Sequence, residues 1–100
     1  MKNVMFICTA GMSTSMLVQR VEEAAKNRGV ELHVWASSEA DAKSQYDNVD
    51  VILLGPQVRF LKGKVETAVA EKNVKVDVIE MTNYGKMNGE GVLDQILSLL

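Results

Sequence analysis

This 100-residue sequence predicts an open α/β domain built on a parallel sheet. Two observations carry that reading. Strand-length apolar or alternating runs (residues 3–7, 30–36, 49–54 and 74–81) are separated by stretches with helical periodicity. The connections are long enough for crossover helices, so the order βαβαβαβα implies parallel strands joined by right-handed crossovers. The length fits a single domain, residues 1–100, able to bury roughly 60–70% of its unfolded surface.

Residues 3–7 are apolar on both alternating faces, as a central strand covered on both sides must be. The segment 16–28 is helical, with Leu17, Val18, Val21, Ala24 and Ala25 on one stripe and Arg28-Gly29 closing it. In residues 30–36, Leu32, Val34 and Ala36 alternate with His33 and Trp35, the pattern of a strand nearer an edge. Residues 38–48 are polar; Ser38 and Asp41 have capping spacing, and a short helix held by Ala42 and Tyr46 is expected. Residues 49–54 form the second strongly apolar run, ended by Gly55-Pro56. Leu61, Val65, Ala68 and Val69 then mark a helical stripe, and residues 74–81 alternate again. Residues 82–91 read as loop, and Val92, Leu93, Ile96, Leu97 and Leu100 as a closing amphipathic helix.

Composition narrows the function. A net charge of −2 with interspersed signs offers no basic face for nucleic acid. The single cysteine cannot form an internal disulfide. No apolar run approaches the ~20 residues that span a bilayer. Met1-Lys2 followed by an apolar stretch loosely imitates a signal peptide, but Thr9, Gly11 and Ser13 interrupt it at once, so a cytoplasmic location is expected. Monomer is the expected state, because the helices are expected to use up the apolar faces.

The chemistry concentrates in Cys8-Thr9-Ala10-Gly11-Met12-Ser13-Thr14-Ser15. A strand, then a Gly/Ser/Thr turn, then a helix presents backbone N–H groups at a helix N-terminus and suits an anion. A thiol facing that end is favoured as thiolate, and so is a phosphate attached to it. A core cysteine needs no such turn after it. No Asp or Glu occurs before Arg20, although acids are favoured in a helix's first turn; an acid there would repel phosphate. The hydroxyls of Thr9, Ser13, Thr14 and Ser15 exceed what one N-cap requires, so some are expected to touch phosphate. With Ser13 as N-cap, Met12 is placed either to staple onto Leu17 or to stand exposed for docking. If the first strand is central, with strands two and three on either side, the strand order reverses at Cys8 and at Gly55-Pro56-Gln57. Gln57, in the turn expected beside Cys8, is the candidate to support it. His33 lies mid-strand, roughly 10 Å from the carboxyl end, and reads as a surface histidine. Arg59 and Lys62 read as solvated charges.

At residue level, the eight residues beginning at Cys8 resemble the active-site loop of enzyme IIB of the bacterial phosphoenolpyruvate-dependent sugar phosphotransferase system, lactose/cellobiose type. Val51-Ile52-Leu53-Leu54-Gly55-Pro56-Gln57 and Tyr84-Gly85-Lys86 resemble later segments of that family, so the likeness covers nearly the whole chain. The mannitol-type sister group has a glycine where Ser13 stands.

The resemblance implies that Cys8 takes a phosphoryl group from a histidine of enzyme IIA. It passes that group to a sugar held by the membrane permease, enzyme IIC, without metal or cofactor. Cellobiose, chitobiose or lactose are the sugars it suggests. It also implies a four-stranded parallel sheet of order 2-1-3-4 with helices on both faces, resembling low-molecular-weight tyrosine phosphatase. That phosphatase is the rival reading. Its loop is Cys, five residues, Arg, then Ser/Thr, and here Thr14 stands where the arginine belongs. Losing a bidentate guanidinium removes the main stabiliser of the phosphate's developing charge.

Overall fold

Val4, Met5, Phe6 and Ile7 are each fully buried, which puts their strand in the middle of the sheet. The computed structural model describes residues 1–8 and 12–100, the side chains of Met12 and Ser13 excepted. Strands β1 (Lys2–Cys8), β2 (Leu32–Ser38), β3 (Val51–Leu54) and β4 (Lys75–Val78) pair in parallel in the order β2-β1-β3-β4. Helices α1 (Met12–Asn27), α2 (Glu39–Ala42), α3 (Lys62–Ala68), α4 (Met81–Gly85) and α5 (Gly89–Leu99) connect and cover them, with 3₁₀ turns at Lys43–Asn48 and Pro56–Leu61.

The period-two alternation of β1 divides the core. Val4 and Phe6 face Leu17, Val18 and Val21 of α1 and Val92 and Ile96 of α5. Met5 and Ile7 face Ala42, Tyr46, Val58, Leu61, Val65 and Val69 on the opposite side. Helices therefore lie on both faces, and the expected 2-1-3-4 order is observed. Truncating Phe6 to alanine in such a site costs about 3–5 kcal/mol, a large share of the ~5–15 kcal/mol that holds a domain together.

Local sequence explains the ends of the elements. Gly29 takes φ +69° after α1, and a paired closure forms there: Gly29 N–H donates to Lys26 O at 3.2 Å and Val30 N–H to Ala25 O at 2.8 Å. Arg28, one residue past the helix, pairs with Glu90 and Asp94 of α5; its guanidinium pKa is raised by those bonds, Asp94 foremost. Ser38 caps α2 by accepting from Asp41 N–H, as its spacing predicts.

Several expectations need correction. Helix α1 begins at Met12 rather than at Met16, so Ser13 lies inside it and is not its N-cap. Residues 82–91 are largely helical, because Asn88 caps α5 through Gly91 N–H and Tyr84 N–H already closes a turn onto Glu80 O. Ala68 is exposed, and Leu61 belongs to the 3₁₀ turn, whose tighter pitch shifts the buried stripe. The fourth strand ends at Val78; Met81 opens α4 and is 62% exposed. Phe60 and Met16 are exposed as well, so apolar surface does remain after the helices pack. Among the described residues, no helix is long and apolar enough to cross a membrane.

Candidate active site beyond the carboxyl ends of the strands

Cys8 is the last residue of β1, 5% exposed, opposite Ser38 of β2 in the sheet register. By alternation its side chain falls on the Val4 and Phe6 side, the side covered by α1 and α5. On the other flank β1 pairs with β3 through Ile7 and Leu54, and Gly55 N–H donates to Ile7 O at 2.9 Å. Gly55 is therefore the neighbour of Cys8 one step past the paired register. A β-carbon on Gly55 would stand 3.9 Å from Cβ of Cys8 and 3.0 Å from Oε1 of Gln57. The absence of that carbon leaves room for the Gln57 carboxamide to fold back over Gly55, the residue that borders Cys8.

Pro56 fixes the start of the 3₁₀ turn that delivers Gln57. The exposed Gln57 side chain donates through Nε2 to the phenolic oxygen of Tyr84 at 3.3 Å. Tyr84 is half-buried on α4, packed against the α1–α5 side of the core. Gln95 of α5 holds the segment leading to α4. Its Nε2 donates to Val78 O at 2.7 Å and Asp77 Oδ2 at 3.0 Å, while its Oε1 accepts from Glu80 N–H at 3.2 Å. Thus β1, β3 and the segment after β4 converge on one point, beyond the carboxyl ends of the strands where the order reverses.

Helix α1 is described from Met12, four residues after Cys8 in the chain, with no acid in its first turn. Thr14 continues the buried Leu17, Val18 and Val21 stripe toward the helix start; it is fully buried, and its Oγ1 has no hydrogen-bond partner among the described residues. Orphaned buried hydroxyls are rare in native proteins. Ser15 is exposed. The expectations for Thr9, Ala10 and Gly11, and for the side chains of Met12 and Ser13, lie outside the described residues.

The other candidates stand apart. His33 pairs in register with Asn3, five residues before the Cys8 level, about 16 Å along the strand; it is exposed and rests against Trp35 at 5.0 Å. The strand runs two residues beyond the expected end, which lengthens that separation. Arg59 is exposed and donates back to Pro56 O, and Lys62 lies 3.9 Å from Asp77. Tyr84 and Gly55 are the residues that sequence reasoning left out of the site. Tyr84 stood in a segment that resembles the IIB family, and Gly55 was placed at the reversal of strand order without a role of its own.

Comparison with known proteins places this architecture. Residues 3–95 match the family described as PTS system, lactose/cellobiose specific IIB subunit. The chain is 38% identical over 100 residues to the PTS system oligo-beta-mannoside-specific EIIB component of Bacillus subtilis (strain 168), covering 100% of this chain and 97% of that protein. It is 41% identical over 97 residues to the cellobiose-specific EIIB component of Lactococcus lactis subsp. lactis (strain IL1403), covering 92% and 90%. A more distant relative is the lactose-specific EIICB component of Lacticaseibacillus casei, 24% identical over 91 residues, which are 85% of this chain and 16% of that one. The solution structure of the cellobiose-specific IIB component from Borrelia burgdorferi superposes with a TM-score of 0.79 at 40% identity, covering 98% of this chain and 90% of that one. By family, by relatives and by fold, this chain belongs to the lactose/cellobiose-specific IIB subunits of the sugar phosphotransferase system (PTS).

Proposed function

We propose that this IIB component carries a phosphoryl group on Cys8, receiving it from a phosphohistidine of an enzyme IIA and delivering it to a sugar held by an enzyme IIC permease. The observation that carries the reading is the position of Cys8: it ends the central strand, beside Gly55, with the acid-free start of α1 following. In the first transfer the Cys8 sulfur attacks phosphorus. The S–P bond forms as the N–P bond breaks, the electron pair returns to the imidazole nitrogen, and the thiol proton ends there or in solvent. In the second, a sugar hydroxyl attacks phosphorus, the S–P bond breaks with its electrons on sulfur, and the hydroxyl proton is released to the thiolate or solvent.

Thr9, Ala10, Gly11, Met12, Ser13, Thr14 and Ser15 form the phosphate-binding loop in this reading, and residues 1–100 work as one unit. Phosphoryl transfer asks for in-line positioning and charge stabilisation more than for other side-chain chemistry. Backbone N–H groups at a helix start supply both. Thr14 is fully buried and uncharged where a phosphatase of this loop length needs an arginine, which favours holding the phosphoryl group over hydrolysing it. The EIICB relative, named for both components in one polypeptide, supports a permease as the acceptor's carrier. Relatives named for oligo-beta-mannosides, cellobiose, galactose and lactose support a β-linked oligosaccharide or a galactoside as the sugar class. In this reading the carrier is a monomer that works on the cytoplasmic side.

The test supplies phosphoenolpyruvate, the general phosphotransferase proteins and a cognate IIA, then maps phosphate by mass spectrometry. Phosphate on Cys8, absent from Cys8→Ser, is the expected result. Label on His33, or label persisting in Cys8→Ser, would overturn the reading, and p-nitrophenyl phosphate turnover without partners would favour the hydrolase.

A further inference from the structure

Resting on the reading of Cys8 as a phosphoryl carrier, we infer that the Gln57 carboxamide is a two-position sensor of Cys8 phosphorylation, with the Tyr84 phenol as its pivot. Oε1 of Gln57 lies on the Gly55 side, 3.0 Å from where a Gly55 β-carbon would be, and that carbon would be 3.9 Å from Cβ of Cys8. Nε2 points the other way and donates to Tyr84 Oη at 3.3 Å.

That orientation puts an acceptor on the Gly55 side, the side that borders the cysteine. It suits the protonated thiol, a weak donor, and it opposes a phosphoryl group, which is anionic and rich in acceptors. A half-turn about the last side-chain torsion exchanges the two ends of the amide. Nε2 then faces the phosphoryl oxygens and Oε1 faces Tyr84. A phenol accepts from an N–H and donates to a carbonyl with equal ease, so Tyr84 serves both positions. Gln57 is exposed, which leaves the amide room to turn. A charge-assisted bond gained on one side balances the neutral bonds exchanged on the other. Gln57 thereby contacts the phosphoryl group, and Tyr84 is a positioning residue that acts through it.

The test uses the full chain, ¹⁵N-labelled, phosphorylated by phospho-IIA, with the Gln57 side-chain NH₂ resonances followed by NMR. In the wild type these protons move downfield when Cys8 is phosphorylated. In Tyr84→Phe, which keeps the ring, the movement is reduced and phosphoryl acceptance falls severalfold. Gln57→Glu places a carboxylate against the phosphoryl group and lowers acceptance by about tenfold or more. Gly55→Ala pushes the far end of Gln57 aside, meets Cys8 at ordinary contact distance, and mimics Gln57→Ala. Thermal melts of each variant verify the fold. If Cys8 is phosphorylated while the Gln57 signals stay still, or if Gln57→Glu accepts phosphate at the wild-type rate, the sensor is overturned and the carrier reading stands. If wild-type Cys8 takes no phosphate, the carrier reading falls and the sensor with it.

Discussion

Among the described residues, two glutamine–aromatic pairs look alike and are built for opposite ends. Over the β2 edge, the Trp35 indole Nε1 donates to Gln45 Oε1 at 2.8 Å, and Gln45 Nε2 donates to Ser37 Oγ at 3.0 Å and to Asp41 O at 2.9 Å. An indole only donates, so Oε1 of Gln45 is held as the acceptor and inversion would set two donors against each other. Beyond β3, Gln57 meets a phenol that both donates and accepts. The first amide is locked and the second reversible, through the choice of aromatic partner. The Gln57 amide is thus left adjustable, where the Gln45 amide at the edge is satisfied in one way.

Predictions can break that contrast, from the largest effect downward. Cys8→Ser should lower phosphoryl delivery to sugar at least about a thousandfold in a reconstituted IIA–IIC assay; retained delivery would move the function elsewhere. Next come the two glutamines. Gln57→Ala should slow acceptance about tenfold with little change in melting temperature. Gln45→Ala should cost about 1 kcal/mol in urea unfolding and leave transfer alone. The reverse pattern would erase the distinction between the pairs.

Thr14→Val removes a buried hydroxyl that has no partner among the described residues. It should raise the melting temperature by about 4–8 °C, the equivalent of about 1 kcal/mol in a domain of this size, while slowing phosphoryl acceptance. A loss of stability would mean that the hydroxyl serves the fold alone. The smallest effect belongs to Tyr46, whose phenol is pushed above its ordinary value, first by burial and then by the charge of Glu39. With the folded value raised, the unfolded chain loses the proton first, so stability is intact below about pH 10 and declines above it. Urea titrations at about pH 8 and about pH 10.5 should show that decline in the wild type and a flatter profile in Tyr46→Phe.

Much of this was legible in the residues. The unbroken apolar run of β1 announced a central strand, since only a strand covered on both faces needs apolar side chains on each. The cysteine, the acid-free helix start and the Gly/Ser/Thr residues between them are what the proposed anion cradle is read from, because helix-end electrostatics act within one turn of sequence. The place of the Gly55-Pro56 turn next to the end of β1 was legible too, since β1 and β3 are neighbours in the sheet and a Gly-Pro pair stops the second strand there.

Other features were decided by contacts distant in sequence. Residues 82–91 read as loop because Asn and Gly mark turns; they are largely helical because Asn88 caps α5, while Gln95 anchors the preceding backbone from across the fold. Phe60 and Met81 carry no pattern that foretells exposure, since periodicity counts apolar residues without knowing which faces are covered. The sequence by itself determined the strands, their parallel direction and a thiol shortly before an acid-free helix, all of which rest on local spacing and charge; the 2-1-3-4 order came from the family resemblance. Only the tertiary structure decided that Tyr84, 27 residues beyond Gln57, meets its amide beside Gly55. Such a pairing depends on how three strand ends converge, and no local spacing encodes it.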